Sequence, residues 1–275
     1  MARANADEDR NFDDLAERFK KNVYGGLKGD IRLAVLGRDF AEHLSIAPFN
    51  QQKKTQQEKA LKPLRILDAG GGQAQFSLAL AEAGHQLVVC DISAEMLALG
   101  KAQAESVGLG DRVDFVQCPL QSLNEHLADT QFDLVLCHAV MEWMVAPETL
   151  LPCLNSYLKP DGYLSLTYYN LHSLIYKNLL RTNFGKIIKK DFRGSKGSLT
   201  PISPIDPDQV ENWLADLPFE LICRSGIRVF HDYIFDETKR NRAPQELLAM
   251  ELEFSRREPY SSLGRYQHLL LRKNN

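Results

Sequence analysis

The feature that most constrains this chain is a rhythm between residues 64 and 168. Short apolar runs at 65–69, 86–90, 113–116, 132–137 and 163–167 alternate with helix-length segments near 75–83, 94–107 and 147–157. Strands alternating with helices imply an α/β fold with a mostly parallel, doubly wound sheet and helices on both faces. On such a sheet a ligand sits beyond the carboxyl ends of the strands, where the strand order reverses, so the loops after the first, second and fourth runs are the ones to inspect.

Additions flank this core. Phe12, Leu15, Phe19 and Val23 recur at spacings of three and four, and a second amphipathic stretch runs over 29–44, so N-terminal helices are expected within residues 1–50. The polar stretch 50–58 is a solvated linker with little to bury. After the cofactor-binding core at 64–168, an insertion at 169–204 breaks the rhythm. A helix near 206–217, a strand near 219–229, a helix near 245–256 and a strand near 265–271 then complete the sheet within 205–275. The whole reads as one domain. The hydrophobic share of 44% and charged share of 25% are those of a globular protein and exclude collagen-like, disordered or coiled-coil chains. The charged N-terminus and the lack of any apolar run near the roughly 20 residues of a membrane span point to the cytoplasm and to no membrane partner. Five scattered cysteines form no metal or redox motif, so no metal is expected. With a net charge of −3 there is no global basic field, and any nucleic-acid surface must be a local patch.

The chemistry starts where the first strand ends, in Leu67-Asp68-Ala69-Gly70-Gly71-Gly72. Glycines there let the backbone turn tightly and let a ligand approach where a Cβ would stand. A dinucleotide fingerprint needs a third glycine in G-x-G-x-x-G, and Gln75 occupies its place. Asp91 ends the second strand, where a carboxylate can accept hydrogen bonds from both ribose hydroxyls of an adenosine. That device serves NAD enzymes and methyltransferases alike, and a plain helix-capping role for Asp91 stays open beside it. His138, at the end of the fourth strand, is either a satisfied structural histidine or part of the pocket.

Read together, Asp68-Ala-Gly-Gly-Gly, Asp91, 131–138 (QFDLVLCH) and 158–164 (LKPDGYL) resemble the successive motifs of class I, Rossmann-like methyltransferases. The resemblance implies S-adenosylmethionine as cofactor. Gly70 and Gly71 then flank its methionine part, Leu120 and Gln121 contact adenine, and His138 lines the pocket. Ala74 departs from the family, standing where many members carry another glycine.

Further stretches narrow the resemblance to the tRNA 5-carboxymethoxyuridine methyltransferase family: 9–14 (DRNFDD), 22–25 (NVYG), 28–32 (KGDIR), 137–143 (CHAVMEW), Tyr169-Asn170, 226–233 (GIRVFHDY), 258–260 (EPY) and 263–266 (LGRY). It spans almost the whole chain, from Asp9 to Arg272. It implies transfer of a methyl group to the carboxylate of 5-carboxymethoxyuridine at the wobble position of a tRNA anticodon stem-loop, with Arg32 reaching the methionine carboxylate. A carboxylate is already ionised near neutral pH and needs no general base to attack a sulfonium methyl, which agrees with the lack of any triad or metal-ligand cluster. The enzyme's work is then positioning. Arg228, His231 and Tyr233 are the expected catalytic clamp, since guanidinium matches carboxylate in a bidentate fork and imidazole and phenol add donors. Tyr24, Tyr169 and Asn170 are expected to complete the substrate pocket. In the insertion, Lys177, Arg181, Lys186, Lys189, Lys190, Arg193 and Lys196 stand against one acid, Asp191. This is the local basic patch, with Lys186, Lys189, Lys190 and Arg193 expected to meet tRNA phosphates. Two other readings remain at this point: a methyltransferase for a small carboxylic acid, which needs no basic insertion, and a nucleoside-binding protein without activity.

Overall fold

The computed structural model describes residues 8–15, 25–49, 62–192, 201 and 203–275. Its centre is a seven-stranded sheet of β1 (Arg65–Ala69), β2 (Gln86–Asp91), β3 (Val113–Gln117), β4 (Phe132–His138), β5 (Leu158–Tyr169), β6 (Phe219–Ile227) and β7 (Tyr266–Lys273). The strand order is β3-β2-β1-β4-β5-β7-β6, with β1 to β5 pairing in parallel and β7 running antiparallel between β5 and β6. The order reverses between β1 and β4, so the loops after Ala69 and His138 diverge and leave a crevice above the sheet.

The longer helices are α1 (Gly26–His43), α2 (Leu78–Glu82), α3 (Ala94–Ser106), α4 (Leu150–Ser156), α5 (Leu171–Leu180), α6 (Phe184–Ile188), α7 (Pro207–Ala215) and α8 (Pro244–Phe254), with single turns at Leu123–His126 and Glu237–Arg240. The strands are apolar at successive positions because both faces are covered. Leu67, Val88, Val135 and Leu269 point to the layer that holds Leu150, Leu154 and Val210 of α4 and α7. Their neighbours Ile66, Val89, Leu136 and Leu270 point to the opposite layer, with Ile31, Val35 and Phe40 of α1 and Leu97 of α3.

Three boundaries differ from those expected, each for a local reason. The helix expected at 75–83 begins only at Leu78, because Ala74 takes a left-handed φ of 57° and Ser77 turns its hydroxyl onto Asp68. The left-handed backbone at Ala74 also explains why glycine suits this place, since a Cβ there is disfavoured. The fifth strand starts five residues earlier than expected, at Leu158, with a register shift opposite Phe132/Leu134 and a left-handed Asp161. Of the expected helix over Phe12 to Val23, the described part is a single 3-10 turn at Asp13–Leu15; Phe19, Val23 and the linker at 50–58 lie outside the described residues.

After β5 the chain forms α5 and α6 and returns at Ile205, which bridges Asn170 in parallel. The β6–β7 end is closed tightly. Gly226 and Gly264 lie backbone to backbone, so that a Cβ on Gly264 would stand 2.6 Å from the Gly226 Cα and 2.8 Å from the Ile227 nitrogen. Neither obstacle is a side chain that can rotate away. Gly264→Ala is therefore expected to lower stability by about 1–3 kcal/mol, toward the upper end of that range, in urea unfolding monitored by circular dichroism.

Candidate functional site

The crevice at the order reversal is a cleft with about 930 Å³ of empty space, including its open mouth. Its floor is the glycine loop. Gly70 has a φ of 70°, and a Cβ on it would meet Val140 Cγ2 at 2.5 Å; a Cβ on Gly71 would strike the Asp68 carboxyl at the same distance. Both glycines are thus demanded by their neighbours and leave the loop's backbone bare toward the cleft. Asp91, at the end of β2, accepts from the Gly72 N–H at 2.9 Å and the Ser93 N–H at 2.8 Å, which fixes its carboxylate at the rim. Burial raises its pKa, and the backbone donors work against that shift.

Of the residues expected to hold a cofactor, Arg32, Gly70, Gly71, Asp91, Leu120 and His138 line this one cleft. Gln121 is directed elsewhere: its amide donates to Asp9 Oδ2 at 2.9 Å. Asp9 belongs to a strap, residues 8–15, that crosses the mouth. On one side Asp9 Oδ1 accepts from the Val145 N–H at 2.8 Å and Phe12 meets Trp143 edge to face at 4.8 Å. On the other side Asp13 accepts from Ser93 Oγ at 2.6 Å and the Glu95 N–H at 3.2 Å. Asp9, Arg10 and Phe12 consequently line the cleft as well.

The lining fits S-adenosylmethionine. Asp91 offers a carboxylate at the rim, suited to ribose hydroxyls, Arg32 a guanidinium suited to a carboxylate, and Gln75 Oε1 is a buried acceptor in the wall with no hydrogen-bond partner, suited to a ligand N–H.

A second region lies beyond Arg32, around the ends of β6 and β7. Arg228 ends β6 with a left-handed φ of 60° and stands 3.5 Å from Asp232 Oδ2. Arg265, which carried no assigned role in the sequence, takes the better geometry, with Nε at 2.7 Å from the same oxygen and Nη1 at 2.8 Å from the Tyr169 hydroxyl. His231 Nδ1 lies 2.9 Å from Asp232 Oδ1. Burial works against the Asp232 anion, but Arg228, His231 and Arg265 hold its carboxyl well below the usual range. Lys28, Lys177 and Arg181 add positive charge to the same space. Burial, then Arg265, lowers Lys177 to about 8. Tyr169 and Tyr266 meet edge to face at 5.3 Å, as do Tyr176 and Tyr233 at 5.1 Å, so the basin is basic with aromatic walls.

The loop carrying Arg228, His231 and Tyr233 is pinned from behind. The N–H groups of Val229, Phe230 and His231 all donate to the buried Glu251 carboxylate, at 2.7, 3.1 and 2.7 Å. Two of the expected site residues are committed to internal bonds. Both amide protons of Asn170 are used on the Ser262 and Gly264 carbonyls, and its oxygen caps α5 at His172. The Tyr233 hydroxyl donates to Leu263 O at 2.7 Å and lies 2.9 Å from Ser173 Oγ, with its pKa pushed up to about 12 by burial. Lys186, Lys189 and Lys190 are exposed on and just after α6. Tyr24 and Arg193 lie outside the described residues.

Two buried carboxyls had no assigned role in the sequence. Asp68, under the glycine loop, is raised to about 7 by burial, with the Ser77 hydrogen bond opposing and the Asp91 charge adding. Glu142, wholly buried just after β4 and without a hydrogen-bond partner on either oxygen, is raised to about 7 by burial.

Comparison with known proteins accords with this geometry. Residues 67–166 match the family model described as a methyltransferase domain. The chain is 40% identical over 266 residues to the tRNA 5-carboxymethoxyuridine methyltransferase of Escherichia coli (strain K12), covering 97% of each. Among solved structures, magnesium protoporphyrin IX methyltransferase (ChlM) from Synechocystis PCC 6803, with bound SAH, superposes with a TM-score of 0.60 at 14% identity over 96% of both chains. The [4+2]-cyclase SpnF does so with a TM-score of 0.52 at 17% identity over 99% of both. Among the described residues no helix is long and apolar enough to cross a membrane.

Two outcomes are expected from this geometry. Asp91→Ala, if folded, weakens S-adenosylmethionine binding in calorimetry by about 1.5–3 kcal/mol, because two hydroxyls lose a charged acceptor. The second concerns pH. An unfolded Asp68 loses its proton near pH ~4, whereas the folded one keeps it to about 7. Its contribution to stability is therefore full below pH ~4 and is lost as pH rises to about 7. In urea titrations across that window Asp68→Asn gives a flatter pH dependence than the parent, with a residual slope from Glu142.

Proposed function

Because the chain belongs to the family of tRNA 5-carboxymethoxyuridine methyltransferases, we propose that it transfers the methyl group of S-adenosylmethionine to the carboxylate of 5-carboxymethoxyuridine at the wobble position of tRNA, giving the methyl ester 5-methoxycarbonylmethoxyuridine. The observation that carries the residue assignments is a shared ring. The Arg32 guanidinium sits 4.4 Å from the centre of Tyr266 and the Arg228 guanidinium 5.4 Å from it. An arginine of the cofactor cleft and an arginine of the basic basin thus meet on one aromatic side chain.

In this reading Asp91 holds the ribose, Leu120 the adenine end, and Gly70, Gly71, His138 and Arg32 the methionine end, while Gln121 braces the strap through Asp9. The bound cofactor supplies an electrophilic sulfonium methyl. Arg228 aligns the uridine's carboxylate toward it. Asp232, shared with Arg265 and His231, is the counter-charge 3.5 Å from the Arg228 guanidinium, and Glu251 holds the loop that carries it. No proton has to move, since the carboxylate is ionised at neutral pH and the basin's charge keeps it so. Rate comes from alignment, where a displacement of about 1 Å costs about a hundredfold.

The anticodon stem-loop is drawn in by the basin and held through phosphates by Lys186, Lys189, Lys190 and Arg193, with Tyr24 and Tyr169 beside the extruded base. His231 and Tyr233 act here as supports of Arg228 and of the pocket wall, and Asn170 as a brace for the turn before β7. Such a substrate puts the enzyme's work in the cytoplasm.

Arg228→Lys keeps the charge and loses the planar fork. The expected result is a kcat lowered by about ten- to a hundredfold on tRNA carrying 5-carboxymethoxyuridine, with cofactor affinity unchanged. The parent's product should release methanol in mild alkali. Full turnover by the variant, or an alkali-stable product, would overturn the assignment.

A further inference from the structure

A buried polar chain runs from the cofactor cleft across the sheet face that α1 covers. His138, Ser165 and His268 come from the adjacent strands β4, β5 and β7. His138 Nε2 lies 2.8 Å from Ser165 Oγ, Ser165 Oγ lies 3.0 Å from His268 Nε2, and His268 Nδ1 lies 2.7 Å from Asp39 Oδ2. Ser165, His268 and Asp39 are completely buried. Asp39 stands on α1 two turns beyond Arg32, on the same buried face.

The direction of each bond follows from proton counting. Asp39 is an anion, paired with Arg38 at 2.8 Å and Arg256 at 2.6 Å, so His268 must donate to it through Nδ1. Arg38 and Arg256 already stand beside that carboxylate, Arg256 being shared with Glu42, so it needs no further cation. With a single ring proton, spent on Asp39, His268 leaves its Nε2 bare. Ser165 has one hydroxyl proton and gives it to that nitrogen. The proton between Ser165 and His138 must therefore come from His138 Nε2, which leaves His138 Nδ1 as a bare acceptor. The same balance disfavours a metal ion at Asp39, His268 and Cys223, although their ligand atoms lie within 4.8 Å of one another.

We infer that Asp39, His268 and Ser165 are positioning residues that lock His138 as its Nε2-protonated tautomer, so that Nδ1 accepts a hydrogen bond from the α-ammonium group of S-adenosylmethionine. The inference rests on the cofactor reading of the cleft. The ammonium carries only donors, and it shares a carbon with the carboxylate assigned to Arg32. Arg32 and His138 line one cleft, and burial first, with the arginine's charge adding, holds the imidazole neutral, well below the usual histidine range. A neutral acceptor there suits an ammonium, and an imidazolium would repel it.

The tautomer is directly readable, because the chain has seven histidines and two-bond 1H–15N correlation spectra separate the two ring nitrogens of each. Wild-type His138 is expected to show Nε2–H, and Ser165→Ala to lose that single tautomer. In calorimetry Ser165→Ala should weaken S-adenosylhomocysteine about five- to tenfold, by removing one oriented hydrogen bond. Binding of 5′-methylthioadenosine, which lacks the amino-acid part, should stay unchanged. An Nδ1–H tautomer in the wild type overturns the inference, as does a Ser165→Ala variant that binds both ligands as the parent does or loses both equally. If the cofactor reading itself is wrong, the wild type binds neither ligand, an outcome distinct from all of these.

Discussion

The buried carboxylate of Asp232 is the interaction on which the substrate end of this molecule depends. Like charges from β6 and β7 would push Arg228 and Arg265 apart, and both strand ends with them, unless an anion stood between. Asp232 provides it and is in turn oriented by His231. One carboxylate faces Arg228, Arg265, Lys28 and Lys177, so the cations gathered there outnumber it. The basin keeps an appetite for a further anion because its structural anion is outnumbered, and in the proposed function substrate recognition is that imbalance put to use.

Fold alone does not decide what such a site does. The molecule superposes over nearly its full length on the cyclase SpnF as well as on a methyltransferase, at comparable TM-scores. The strand order explains where a ligand sits, and nothing in it explains which bond is made. What separates the possibilities is side chains: a carboxylate at the rim of β2, an arginine on the buried face of α1, and a basic, aromatic-walled basin one ring away.

How much of this was legible in the sequence depended on how far apart the partners lie. Gly70, Gly71 and Asp91 were readable because a turn and a strand end are local events. The sheet was readable because each strand's apolar run is continuous. The extra length of β5 was not, since Pro160, Asp161 and Gly162 are poor strand formers and only pairing with β4 draws them in as a bulge. Arg265 and Glu251 stayed silent because their partners, Asp232 and the amides of Val229 to His231, lie 20 or more residues away along the chain. Asn170 and Tyr233 drew attention through the stretches that carry the family resemblance, yet their polar groups are satisfied inside the fold, and a lone sequence does not distinguish an occupied donor from an available one. Asp39 and His268 show the same blindness at longer range, because they meet across 229 positions.

The ring of Tyr266 has a consequence for the order of events. Under the proposed assignment, which puts Arg32 on the cofactor side and Arg228 on the substrate side of one ring, an anion that draws either guanidinium alters the surroundings of the other. The two ligands are then thermodynamically linked. By the symmetry of such linkage, whatever factor the cofactor contributes to tRNA affinity the tRNA returns to cofactor affinity, so a loaded enzyme and a bound substrate hold each other in place until chemistry neutralises the carboxylate and dissolves the bond between them.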